Sequence, residues 1–66
     1  MPSNDNNHPV PVAIDRPEES VTYVVTGRQI RRVRDDGRAE LLAGAEREAA
    51  ARWIVRATGG QVRAAA

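Results

Sequence analysis

Five arginines, Arg28, Arg31, Arg32, Arg34 and Arg38, fall within eleven residues whose only acids are Asp35 and Asp36. A guanidinium is planar, permanently charged and able to donate two parallel hydrogen bonds, so such a run offers recognition of phosphate or carboxylate oxygens. If the run is a strand, alternation places Arg28, Arg32 and Arg34 on one face and Arg31 on the other, unless a bulge shifts the register. A row of this kind on a β-ribbon suits the phosphates of a nucleic acid. A plainer explanation stands beside it. All ten basic residues of the chain are arginine, so an arginine-rich solvated surface follows equally from a protein that uses arginine wherever others use lysine.

No other group of residues suggests a reaction. The single histidine, His8, stands beside Pro9 in the expected disordered tail, where no base for a nucleophilic triad would be held in place. One histidine and no cysteine cannot furnish a zinc cage. Asp35 and Asp36 could be imagined as an acid–base pair, but Asp-Asp-Gly is foremost a turn sequence. Glu46 and Glu48 suit the first turn of a helix, where carboxylates face the positive end of the dipole. Gly59 and Gly60 follow a helix, whereas phosphate-cradling glycines precede one. The absence of lysine removes Schiff-base and phosphate-loop chemistry. The expectation is a protein with no catalytic residues, metal or cofactor.

The elements that must position the arginines are short. Ala50, Trp53, Ile54 and Ala57 share one arc at 3.6 residues per turn, with Glu48, Arg52 and Arg56 opposite, which predicts an amphipathic helix from about Ala45 to Thr58. The Gly59-Gly60 pair supplies the left-handed conformation at which helices commonly stop. Val21-Thr22-Tyr23-Val24-Val25-Thr26 is dense in β-branched and aromatic residues and predicts a strand, ended by Gly27 at a bulge or tight turn. Residues 28–34 follow as a second strand, although Ile30 and Val33 are also spaced as one helical turn. The Asp36-Gly37 pair signals a hairpin. Residues 38–43 suit either a third strand or an early start of the helix. Strand, hairpin, strand and then helix is the preferred order, against a single helix from Arg38 to Thr58. Trp53 is expected in the core between helix and sheet.

Residues 1–20 contain all four prolines, three asparagines and few large apolar side chains, which predicts a disordered acidic tail ahead of a domain at 21–66. Charge divides the same way. Residues 1–27 hold one arginine against four acids, a net of −3, and residues 28–66 hold nine arginines against five acids, a net of +4. The expected fold class is α+β: a small antiparallel sheet of three to four short strands packed on one amphipathic helix.

With a last strand at residues 61–66, the chain resembles a family of short bacterial β-β-β-α-β domains of unknown function. Glu48, Ala49, Ala50, Gly59, Gly60 and Val62 carry the likeness, over roughly residues 21–64. It implies the fold and no activity. The chain departs from that pattern in its alanine-rich end, Ala64 to Ala66, which puts the length of the last strand in doubt. Pro17, Glu18, Glu19, Arg31, Arg32, Asp36 and Gly37 are also similar in outline to the DNA-binding segment of excisionase-like helix-turn-helix proteins. That likeness fails at the β-branched run 21–26.

Two functions remain open. One is nucleic-acid binding through Arg28, Arg31, Arg32, Arg34 and Arg38 on phosphates; only Tyr23 and Trp53 are available to stack on bases. The other is a protein-interaction module that docks on a larger partner, with a homodimer as a further candidate because the core is small. No apolar run is long enough for a membrane span, and the lack of cysteine suits a cytoplasmic location.

Overall fold

The computed structural model describes residues 10–63. Four strands form an antiparallel meander in the order β1-β2-β3-β4: β1 Val12–Arg16, β2 Val21–Thr26, β3 Gln29–Arg34 and β4 Ala39–Leu41. Helix α1, Gly44–Ala57, follows and covers one face. The fold class is the α+β architecture that the sequence predicts.

Each connection has a local cause. Gly27 (φ +60°) and Arg28 form the two-residue loop between Thr26 and Gln29, with the glycine at the loop position that needs a positive φ. The Asp35-Asp36-Gly37 loop is closed by Arg34 N–H to Arg38 O at 2.7 Å and Gly37 N–H to Arg34 O at 2.8 Å, with Gly37 at φ +93°. β1 and β2 are joined by a 3₁₀ turn, Pro17–Glu19, which Ser20 ends in the left-handed region.

The Gly-Gly stop is a Schellman motif: Gly60 N–H reaches Val55 O at 2.8 Å and Gly59 N–H reaches Arg56 O at 3.3 Å. Thr58 then folds the chain back, its hydroxyl donating to Ile54 O at 2.8 Å and accepting Val62 N–H at 3.1 Å, so that Val62 packs on the core.

That core consists of Val21, Tyr23 and Val25 from β2, Ile30 from β3, Leu42, and Ala50 and Ile54 from α1; Ile30 and Ile54 are fully enclosed.

Four expectations need correction. Residues 12–19 are not part of a tail: Val12–Arg16 pairs along its length with Val21–Val25. The prolines flank this strand at positions 11 and 17 rather than interrupting it, so none removes a ladder donor, and backbone pairing substitutes for the apolar density that the segment lacks. The domain therefore begins by residue 12. Residues 1–9, the rest of the expected tail, lie outside the described residues.

The closing strand expected at 61–66 is not formed at 61–63, and 64–66 lie outside the described residues. The fourth strand comes from the N-terminal side instead. The helices that the excisionase-like likeness implies across residues 21–34 are the β2–β3 hairpin. Finally, Trp53 is half-buried and Ala57 exposed. The buried arc runs through Ala50 and Ile54 toward Thr58, where the returning chain with Val62 covers it, so Trp53 lies on the rim.

Candidate functional site on the uncovered face of the sheet

Alternation and register together fix which side of the sheet each residue serves. Val21, Tyr23 and Val25 face the helix, and pairing puts Val12, Ile14, Arg16, Ile30, Arg32, Arg34 and Glu40 on that side. The opposite face carries one row of Ala13, Val24, Arg31 and Leu41 and a second of Asp15, Thr22, Val33 and Ala39. Thr26 and Gln29 extend it toward the β2–β3 turn. No element of the described chain covers this face. Val24 and Val33 are half-buried by their neighbours within the sheet, and Leu41 is 54% exposed.

The arginines expected on one ribbon are distributed over several surfaces. Arg32 and Arg34 do share a face, the one toward the helix, and both converge on Glu40. Arg32 donates to Glu40 Oε2 from Nε at 2.8 Å and from Nη2 at 2.5 Å, and Arg34 donates from Nη2 at 3.2 Å. Glu46, at the start of α1, adds a carboxylate 3.8 Å from Arg32. These hydrogen bonds hold the Glu40 carboxyl below the usual carboxylate range, chiefly through Arg32, and raise the Arg32 pKa in turn.

Arg31 points to the uncovered face. Arg28 sits in the hairpin turn, where its carbonyl accepts two hydrogen bonds from Arg47 at 2.9 and 2.6 Å, tying the helix to the turn. Arg38 lies beyond the next turn, its Nε 3.6 Å from Asp36. The β2–β3 ladder is continuous, without the bulge that would bring Arg31 to the same side as Arg32.

A second polar cluster closes the β1 edge of the sheet. Arg16 donates from Nη1 to the Tyr23 hydroxyl at 3.1 Å and stacks on Trp53, whose ring is tilted by 58° to that of Tyr23 at a centroid distance of 5.6 Å. Glu18 and Glu19 approach the same guanidinium at 3.4 and 3.7 Å. The groups around Arg16 come from β1, its turn, β2 and α1, which makes this a structural latch.

Among the described residues no three His, Cys, Asp or Glu side chains gather where a metal could bind, and no helix is long and apolar enough to cross a membrane. Comparison with protein-family models, curated proteins and solved structures finds no match.

Sequence reasoning missed Glu40, Ala13 and Asp15 as neighbours of the arginine run. Glu40 becomes visible only once the hairpin register sets it opposite Arg32. Ala13 and Asp15 belong to the strand that their proline-rich surroundings conceal.

Proposed function

We propose that this chain is a non-catalytic cytoplasmic binding module that docks on a protein partner through the uncovered face of its sheet. The observation that carries this reading is the composition of that face. Val24, Val33, Leu41, Ala13 and Ala39 form an apolar centre, with Arg31 and Asp15 among its rows and Asp35 at its margin beyond Val33. Depletion of charge around apolar and β-branched residues is the pattern of a protein contact, whereas a phosphate-binding surface concentrates basic groups.

The nucleic-acid alternative keeps one supporting observation. Arg28 and Arg31 have no acidic partner among the described residues; Arg28 stands with Thr26 and Gln29 at the tip of the β2–β3 hairpin, and Arg31 lies two residues beyond Gln29 on β3. A ribbon tip of this kind can enter a groove. Arg32 and Arg34, held by Glu40, do not add to it.

A photo-crosslinking side chain placed at Leu41, and separately at Ala49 on the outer helix surface, tests the docking reading in cells. Adducts from position 41 and none from 49 are expected. Adducts from 49 alone, or a position-41 adduct with nucleic acid only, would overturn it.

A further inference from the structure

We propose that the occupant of the uncovered face is a segment of another protein in which an arginine or lysine borders aliphatic side chains. The basic group enters a notch between Asp15 and Asp35, and its neighbours rest on Val24, Val33 and Leu41. This deepens the docking reading and rests on it.

The notch follows from the register. Asp35 N–H reaches Ser20 O at 3.3 Å, which carries the β2–β3 pairing one step beyond Val21 and Arg34. Alternation then keeps Asp35 on the side of Arg31 and Val33. Asp15, Pro17, Ser20, Val21, Thr22 and Asp35 line a cavity of about 310 Å³ at that corner of the sheet.

Its two carboxylates are uncompensated. Glu18 and Glu19 flank Arg16, Asp36 has Arg38, and Glu40 and Glu46 share Arg32. Asp15 and Asp35 have no basic partner among the described residues, although an arginine adjoins each in sequence, Arg16 after the first and Arg34 before the second. The pleat is the cause. Consecutive side chains of a strand point to opposite faces, and on the helix side Arg16 is held by Tyr23 and Trp53 and Arg34 by Glu40. Arg31 shares the face with the two acids but makes no ion pair with either.

Asp15 accepts a hydrogen bond from Thr22 through Oδ1 at 2.9 Å, which orients the carboxylate and leaves Oδ2 open to a further donor. No third acidic side chain completes a ligand set here, so the notch suits one guanidinium or ammonium head rather than a calcium ion, which takes ~6 to 8 oxygens.

Charge and apolar surface are contiguous. Val33 lies in the row of Asp15, and Val24 and Leu41 lie in the next. A basic side chain in the notch therefore sets its own methylene stem and its neighbours against branched aliphatic surface. A nucleic-acid backbone is a poor occupant of this corner, because its phosphates would meet two carboxylates. A second copy of this chain is a poor one too: the two-fold that sets Arg31 over Asp15 also brings the two Asp35 side chains together.

The test uses the full chain in cells with the photo-crosslinking side chain at Leu41 and the attachment site on the partner mapped by mass spectrometry. It is combined with Asp15→Asn, Asp35→Asn and both together, each checked for its fold by circular dichroism. Asparagine keeps the shape of the side chain and an oxygen for Thr22, so the change is one of charge. The adduct is expected at a stretch of partner with an arginine or lysine beside aliphatic residues, and the double replacement should lower its yield by about tenfold or more. Glu48→Gln, which removes a carboxylate from the helix surface, is the control and should leave the yield unchanged.

An adduct undiminished by the double replacement, one mapped to a stretch without a basic residue, or one that joins two copies of this chain would overturn the proposal and leave docking through this face in place. No protein adduct from position 41 in the unsubstituted chain would end the docking reading, and this inference with it.

Discussion

Arg16 places its guanidinium carbon 4.8 Å from the centroid of the Trp53 ring, joining the last residue of β1 to the helix on the far side of the core's rim. A cation over an indole face gains from the ring quadrupole, and a planar guanidinium also stacks. Replacing Arg16 by alanine should therefore loosen β1 first. Hydrogen exchange at residues 12–16 is expected to quicken, and Trp53 fluorescence to become more accessible to quenchers, while amides at 50–54 stay protected. Equal loosening of strand and helix would show that the stack does not hold β1 in particular.

Ile54 and Trp53 stand side by side in sequence but differ in burial, so their substitutions should differ too. Ile54 is fully enclosed, and its replacement by alanine should cost about 2 to 5 kcal/mol. A core in a domain this small supplies only ~3 to 5 kcal/mol, so that variant should be substantially unfolded. Trp53→Ala removes a half-buried ring and should cost about 2 to 3 kcal/mol, less than a fully buried tryptophan would. Chemical denaturation checks the order, and a Trp53→Ala variant less stable than Ile54→Ala would contradict the burial assignment.

Glu40 makes stability depend on acid pH. Its pKa is lowered in the folded chain from an ordinary value of 4.5, first by its hydrogen bond to Arg32. A carboxyl of this kind contributes stability that is fully present above its unfolded pKa and is lost as pH falls through the folded value. Melting temperatures of the unsubstituted chain and of Glu40→Gln should differ near neutral pH and converge only as pH falls through the lowered folded value, below the ordinary 4.5. A difference that persists unchanged into acid would mean that the carboxylate charge is not the source.

The same residue decides how many arginines are available to phosphate. With Arg32 and Arg34 engaged, Arg28 and Arg31 are the remaining candidates of the hairpin ribbon. Any weak duplex-DNA binding should then show a slope of about −1.8 in log affinity against log salt. Glu40→Gln frees Arg34, while Arg32 keeps Glu46 at 3.8 Å, so the slope should steepen only toward about −2.7. A slope near the steeper value before substitution would favour the nucleic-acid alternative.

Much of the fold is legible in the sequence where local chemistry and tertiary demand agree. The β-branched run 21–26, the Asp-Gly turn and the Gly-Gly stop each specify their own geometry, and the structure contains all three. β1 is not legible because its evidence is non-local: Val12, Ala13 and Ile14 become a strand only by pairing with Val25, Val24 and Tyr23. The arginine run is visible at once, but the partition of Arg31 from Arg32 and Arg34 has consequences only after the helix selects one face. Nothing within residues 28–38 shows that Glu40 will bind two of them.

The surface claim is tested most directly by crosslinking in cells from a photo-reactive side chain placed at Val24, in the middle of the uncovered face, and separately at Arg52 on the outer helix surface. A protein adduct from position 24 and none from position 52 is the expected result. Adducts from position 52 alone, or from neither position, would contradict docking through the uncovered sheet.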